Sequence, residues 1–219
     1  MLLEALRKEV VEYGIRMYDS GMTQGTGGYI SARDPETGYI CSTPSSMPYH
    51  DIKPENVLVT DVDGNIIEGI GKISSEWCVQ SAVYKMRSDI NALVHAHSKF
   101  ATTLATLQID LPVSFFSLSQ CGGNDVKCTG YYDFYSQELA DDIFDKMKDR
   151  MACLMGNHGM LAAGTTLKEA YSNADVLEFS AEVYWRAKCI GQPYLLNDKE
   201  VEEIQASIYR YTHINDDLK

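Results

Sequence analysis

Two histidines one residue apart, closing a strand-like run, are the first residues in this chain that could do chemistry together. The segment reads Asn91-Ala92-Leu93-Val94-His95-Ala96-His97-Ser98. Side chains alternate faces along an extended strand, so residues two apart project the same way. His95 and His97 would therefore stand about 7 Å apart along the strand axis, where one metal ion could take both. The competing reading is one buried histidine with a chance neighbour, since short motifs also match by accident. His158, in Gly156-Asn157-His158-Gly159, follows an apolar run at 151–155. Alone it reads as a loop residue. Beside a His-x-His it completes a set of three imidazoles, a common open zinc arrangement. His50 and His213 lack such spacing and read as surface residues.

Three further segments could receive an anion. Gln24-Gly25-Thr26-Gly27-Gly28 is a tight turn whose bare N–H groups can approach a charge, or a plain loop. Thr43-Pro44-Ser45-Ser46-Met47-Pro48 pins two hydroxyls between prolines, as turn chemistry or as ligands. Ser74-Ser75-Glu76 opens a helical pattern. There Ser74 or Ser75 can serve as N-cap with Glu76 in the first turn, or the exposed helix start can bind a phosphate. The residues alone leave these pairs of readings open.

The surrounding pattern predicts the elements that must hold these groups. Apolar residues at helical spacing (Leu3, Leu6, Val10, Tyr13, Met17) predict a helix to about residue 20, stopped by Gly21. Strands are expected from Tyr29 and across 39–42, and a hairpin across 57–68 turns on Asp63-Gly64. Helices are expected from the serines at 74–75, at 99–107 and at 136–148. The longest runs over 166–188 behind a Thr166/Glu169 capping box, and a last helix at 199–211 leads into a tail with Asp216 and Asp217. Residues 111–116 read as an apolar edge or crossover. Interleaved helices and strands with a hairpin predict an α/β fold, a single three-layer αβα domain over 1–219 around a mixed, largely antiparallel sheet.

Composition sets the outer bounds. The 219 residues are 45% hydrophobic and 23% charged, ordinary for a chain with a sizeable core. A net charge of −12 argues against a nucleic-acid partner, which calls for a basic surface. No apolar run approaches membrane-spanning length, and the acidic N-terminal segment does not resemble a signal peptide. Six scattered cysteines without a Cys-x-x-Cys pair read as reduced thiols, so a cytoplasmic protein is expected.

Taken in order, Gln24-Gly25-Thr26-Gly27-Gly28, Thr43-Pro44-Ser45-Ser46, Ser74-Ser75-Glu76, His95-Ala96-His97 and Asn157-His158-Gly159 resemble the class II zinc-dependent aldolase family. That family includes L-fuculose-phosphate aldolase, whose pattern these motifs resemble, L-ribulose-5-phosphate 4-epimerase and the adducin head domain. The resemblance spans nearly the whole chain. It implies one Zn2+ per subunit on His95, His97 and His158, with Glu76 as a fourth ligand in the empty site and as the catalytic acid/base. It implies a substrate phosphate held by Thr26, Gly28, Ser45, Ser46, Ser74 and Ser75. It further implies a homotetramer with active sites between subunits, and a C-terminal tail contributing Tyr209 or Tyr211.

The implied reaction is reversible cleavage of a ketose 1-phosphate to dihydroxyacetone phosphate and an aldehyde. Aldolases of this family carry Glu after the paired serines and the epimerase carries Asp, so Glu76 favours an aldolase. The alternatives are a pentulose-phosphate 4-epimerase, a thio-sugar-phosphate dehydratase and a non-catalytic adducin-like interaction domain. Three positions depart from L-fuculose-phosphate aldolase: Tyr29 stands for an Asn that helps hold phosphate, Ser46 for a Gly, and Phe116 for a tyrosine that serves as proton donor.

Overall fold

A computed structural model describes residues 1–213, with side chains through residue 211. The His213 side chain, Asp216 and Asp217 lie outside the described residues. Helix α1 (Glu4–Asp19) is followed by strands β1 (Tyr29–Arg33), β2 (Ile40–Ser42), β3 (Leu58–Thr60) and β4 (Ile66–Glu68), then α2 (Trp77–Met86) and β5 (Ala92–Ala96). Helix α3 (Lys99–Ala105), β6 (Leu111–Pro112), β7 (Asp125–Cys128), α4 (Gln137–Lys146), β8 (Ala152–Met155), β9 (Gly159–Gly164), α5 (Leu167–Ile190) and α6 (Asp198–His213) complete the order.

The nine strands form one sheet in the order β4-β3-β2-β1-β5-β9-β8-β7-β6. Every ladder is antiparallel except β7 with β8. Strand alternation divides the interior in two. Ile30, Ala32, Val94, Ala96, Leu154 and Ala162 face α1, α3 and α5, packing with Val10, Leu104 and Leu177. Their neighbours Tyr29, Leu93, Cys153 and Leu161 face α2 and α4, packing with Val79, Val83, Leu139 and Ile143. This is the expected three-layer arrangement with a mostly antiparallel sheet. His95 shares the parity of Leu93, so it points toward the α2 and α4 layer from the middle of the sheet.

Local chemistry sets the element ends. Gly64 turns the β3–β4 hairpin at φ 87°, as Asp63-Gly64 predicts. Ser136 caps α4 by accepting from the Leu139 amide, and Thr166 caps α5 by accepting from the Glu169 amide. Helix α2 begins later than the serines suggest: Glu76 occupies the N-cap position, and its own N–H donates to Ser74 Oγ at 3.2 Å. The serines form a turn ahead of the helix, and Glu76 is its boundary residue.

Strands β7 and β9 lie where the sequence suggests only turns or leaves the segment unassigned. β9 is Gly-Met-Leu-Ala-Ala-Gly, poor in β-branched residues. It is a strand because it is sandwiched: a Cβ on Gly164 would lie 2.4 Å from the Ala170 backbone of α5. Among the described residues no helix is long and apolar enough to cross a membrane.

Candidate active site

The centre of the sheet brings together the groups that the sequence scatters over more than eighty positions. His95 sits on β5 between Tyr29 of β1 and Leu161 of β9. His97 follows just past the end of β5, His158 lies in the short connection from β8 to β9, and Glu76 heads α2. The ligating atoms of these four residues all lie within 4.8 Å of one another. His95 Nε2 is 3.1 Å from His97 Nε2 and 3.1 Å from Glu76 Oε2, and His158 Nε2 is 3.4 Å from Glu76 Oε1.

This donor set fits a divalent cation. His95 Nδ1 lies 2.8 Å from the Met160 carbonyl and donates to it in the neutral ring, which leaves Nε2 as a bare lone pair facing the cluster. Buried Glu76 Oε2 then has no hydrogen-bond donor, which is costly for a carboxylate oxygen without a cation. A tetrahedron with ligand bonds of about 2.1 Å has edges of about 3.4 Å, close to the separations found here.

Electrostatics favour the ligand forms of Glu76 and His97; at His95 burial works against the charged ring, but the Glu76 carboxylate outweighs it and raises the imidazole. Burial raises the Glu76 carboxyl, but the imidazoles of His95 and His158 together outweigh it and hold the group well below the usual carboxylate range. Burial, then repulsion from His95 and His158, lowers the His97 imidazole to about 4. His97 is therefore neutral at pH 7, as a metal ligand must be.

Glycine lets the Gly-rich turn press onto this cluster. A Cβ on Gly27 would lie 2.7 Å from His97 Nδ1. Gly28 has φ +75°, and a Cβ there would lie 2.3 Å from the His95 carbonyl oxygen. Either substitution would push the turn off the histidines.

A cleft of about 310 Å³ opens over the cluster. Thr26, Gly28, Ser45, Ser46, Ser74 and Ser75, spread over three loops, line it together with Glu76, His97 and His158. Thr43, which opens the Thr43-Pro44-Ser45-Ser46 segment, lines it too, as does Phe134, which nothing in its local spacing marks. Ser46 holds φ 62°, a left-handed backbone of the kind that favours glycine. Tyr29 contributes to the cleft floor, its ring 5.2 Å from that of His95. Its hydroxyl is buried without a hydrogen-bond partner.

Three other singled-out residues lie elsewhere in the chain. Phe116 and Tyr211 line a groove along α6 with Leu196 and Ile204, and Tyr209 lines a separate groove beside Ser119 and Thr166. His50 is at the surface, paired with Asp19 at 2.7 Å.

Residues 8–185 match the class II aldolase and adducin N-terminal domain. The 5-deoxy-D-ribulose 1-phosphate aldolase of Bacillus thuringiensis serovar kurstaki is 42% identical over 211 residues, 96% of this chain and 99% of that protein. A 5-methylthioribulose-1-phosphate/5-deoxyribulose-1-phosphate aldolase of Rhodospirillum rubrum is 34% identical, covering 94% of this chain and 92% of the relative. A solved structure of an L-fuculose 1-phosphate aldolase superposes with a TM-score of 0.90 at 35% identity, over 94% of this chain and 96% of its own. The chain belongs to the class II aldolase and adducin family, and within it is an aldolase.

Proposed function

We propose that this cleft cleaves a ketose 1-phosphate, of the 5-deoxypentulose type, between C3 and C4. Dihydroxyacetone phosphate is one product and a two-carbon aldehyde the other. The convergence of Glu76 with three imidazoles beneath a cleft walled by serine and threonine loops is the observation that carries this reading. The 5-deoxypentulose choice draws on the names of the two relatives above. It fits Phe116 standing where the fuculose enzyme resemblance expects a tyrosine, and the apolar Phe134 at the cleft.

Zn2+ held by His95, His97 and His158, when bound, would supply Lewis-acid stabilisation of the negative charge that develops at the C2 carbonyl. The chain's own groups do the rest. Breaking C3–C4 leaves an electron pair at C3 delocalised into that carbonyl, and the C4 hydroxyl proton passes through solvent to the ionised Glu76 carboxylate as the aldehyde forms. Glu76 delivers a proton to C3 in cleavage and removes it in the aldol direction. A carboxyl kept ionised in the resting site suits removal, and general acid–base action of this kind is worth about 10²–10⁴-fold. Thr26, Ser45, Ser46, Ser74 and Ser75 hold the phosphate remote from the broken bond and fix C3 opposite Glu76.

The same reading takes residues 1–219 as one domain, working in the cytoplasm as a homotetramer with one zinc per subunit. All six cysteines are free thiols, which suits a reducing compartment. The exposed Phe116, Tyr209 and Tyr211 lie where a neighbouring subunit could receive them, which suits sites shared across an interface. The test is release of dihydroxyacetone phosphate from zinc-loaded protein given 5-deoxyribulose 1-phosphate, L-fuculose 1-phosphate or ribulose 5-phosphate. The first should be cleaved with the highest kcat/KM, about tenfold or more above the second. Epimerised pentulose 5-phosphate, with no triose released from any ketose 1-phosphate, would replace this reading with the epimerase.

A further inference from the structure

We infer that Glu178, on the far side of the sheet from the cleft, is a positioning residue for the metal ligand His97. The inference rests on the four-ligand reading of the site. His97 lies between two anchored segments. On its N-terminal side the β5 ladder fixes His95 opposite Leu161 and Ala96 opposite Met160. On its C-terminal side the chain turns at Ser98 into α3, and there the anchor is not local. Ser98 is the N-cap residue but makes no capping bond from its own side chain. Instead the Glu178 carboxylate reaches across from the middle of α5. Its Oε2 accepts from Ser98 Oγ at 2.6 Å and from the Ala101 amide at 2.8 Å, and its Oε1 accepts from the Phe100 amide at 2.9 Å.

Both carboxylate oxygens are therefore spent on the turn that begins one residue after His97. Ser98 is fully buried and Glu178 half-buried, and the bonds are charge-assisted because the acceptor is a carboxylate. Helix α5 itself packs its Leu177 and Ala174 against the same side of the sheet as Val94 and Ala96. A carboxylate from the longest helix thus sets where the chain leaves β5, and with it the direction of the His97 ring. Loss of the clamp would orphan two helix amides and let the 97–98 backbone swing. Two of three imidazoles would stay in place, because His95 is held by Met160 and His158 by the β8–β9 connection.

The test is cobalt titration of the metal-free protein, following the d–d absorption of the bound ion and the apparent affinity, with thermal unfolding of the metal-free form beside it. Glu178→Gln keeps the volume but offers an NH2 where a donor must be accepted. We expect it to weaken Co2+ binding by about ten- to a hundredfold, the range for residues that orient metal ligands, and to alter the spectrum. Glu178→Asp should recover part of the affinity. Trp185→Ala, which removes the α5 ring packed 5.7 Å from Phe100 but leaves the carboxylate, should lower Tm without changing affinity or spectrum. If Glu178→Gln does not fold, Ser98→Ala, which deletes one of the three bonds, must weaken binding severalfold in the same direction. A lowered Tm with unchanged affinity and spectrum in these variants would overturn the inference and leave Glu178 a structural residue. Wild-type protein that takes up no cobalt would instead overturn the four-ligand reading, and this inference with it.

Discussion

The cleft over the middle of the sheet and the grooves along α6 differ in what positions their residues. Around the cleft, each group is placed by the chain itself: His95 by the β5 register, Glu76 by the start of α2, the serines by three loops that meet. Along α6, Phe116, Tyr209 and Tyr211 are singled out only by resemblance, and in one chain they line other grooves. A residue that acts within its own subunit is pinned by packing and hydrogen bonds. One that acts on a neighbour has to stay exposed, as these tyrosines do.

The two regions can be separated experimentally, beginning with the largest expected effect. His97→Ala or His158→Ala should lose bound zinc, measured by elemental analysis, and lower kcat/KM by roughly 10³-fold or more. An equivalent change anywhere along α6 should leave the zinc content untouched. Glu76→Gln should retain zinc and lose about 10²–10⁴-fold in kcat; unchanged turnover would remove Glu76 from proton transfer.

Replacing Tyr209 and Tyr211 together with Phe should cost about tenfold or less in kcat, an ordinary loss for a hydrogen-bonding contributor. Mixing that variant with Glu76→Gln should restore activity if the tyrosines serve a neighbour's cleft. Restoration failing while each variant alone is slowed would confine every group to its own subunit.

Acid should reach the cleft first. The His97 imidazole is lowered from an ordinary value near 6.5 to about 4, so the unfolded chain binds a proton there that the folded chain refuses. The His97 contribution to stability of the metal-free protein is therefore full above about pH 6.5 and falls as pH drops toward 4, while the raised His95 imidazole contributes in the opposite sense, losing stability as pH rises. The depressed Glu76 carboxyl adds a loss below about 4.5, where the unfolded carboxyl begins to protonate. A Tm series from pH 7.5 to 4 should show this slope, and His97→Gln should flatten its upper part. Smallest of all, Ser46→Gly should relieve the left-handed backbone by about 1 kcal/mol while raising KM for the phosphorylated substrate. A variant with lower Tm would show that the loop needs the hydroxyl more than it minds the strain.

Much of this was legible because the chemistry repeats the local geometry. His95-Ala96-His97 advertises two side chains on one face, Asp63-Gly64 marks its hairpin, and Thr166 with Glu169 marks the start of α5. The missing parts have no local signature. β9 is a strand through burial between β5, β8 and α5, against the propensity of its alanines and glycines. β7 is a four-residue Asp-Val-Lys-Cys segment held between β8, in parallel, and the two-residue edge strand β6. Phe134 reaches the cleft only through tertiary folding, and Glu178, in the middle of a helix, reads as one more solvated glutamate until its three donors are seen. Glu76 ends the serine turn and stands at the N-cap position of α2, without a side-chain capping bond, where the sequence predicts a first-turn residue.

Cleavage in this cleft, as proposed, depends on cation binding by Glu76, His95, His97 and His158, and one measurement addresses it most directly. Turnover of 5-deoxyribulose 1-phosphate is followed before exhaustive chelation, after it, and during stepwise return of Zn2+. Activity that falls to background and recovers to a plateau at one zinc per chain is the predicted result. Turnover that persists undiminished in protein shown by elemental analysis to be free of metal would contradict it.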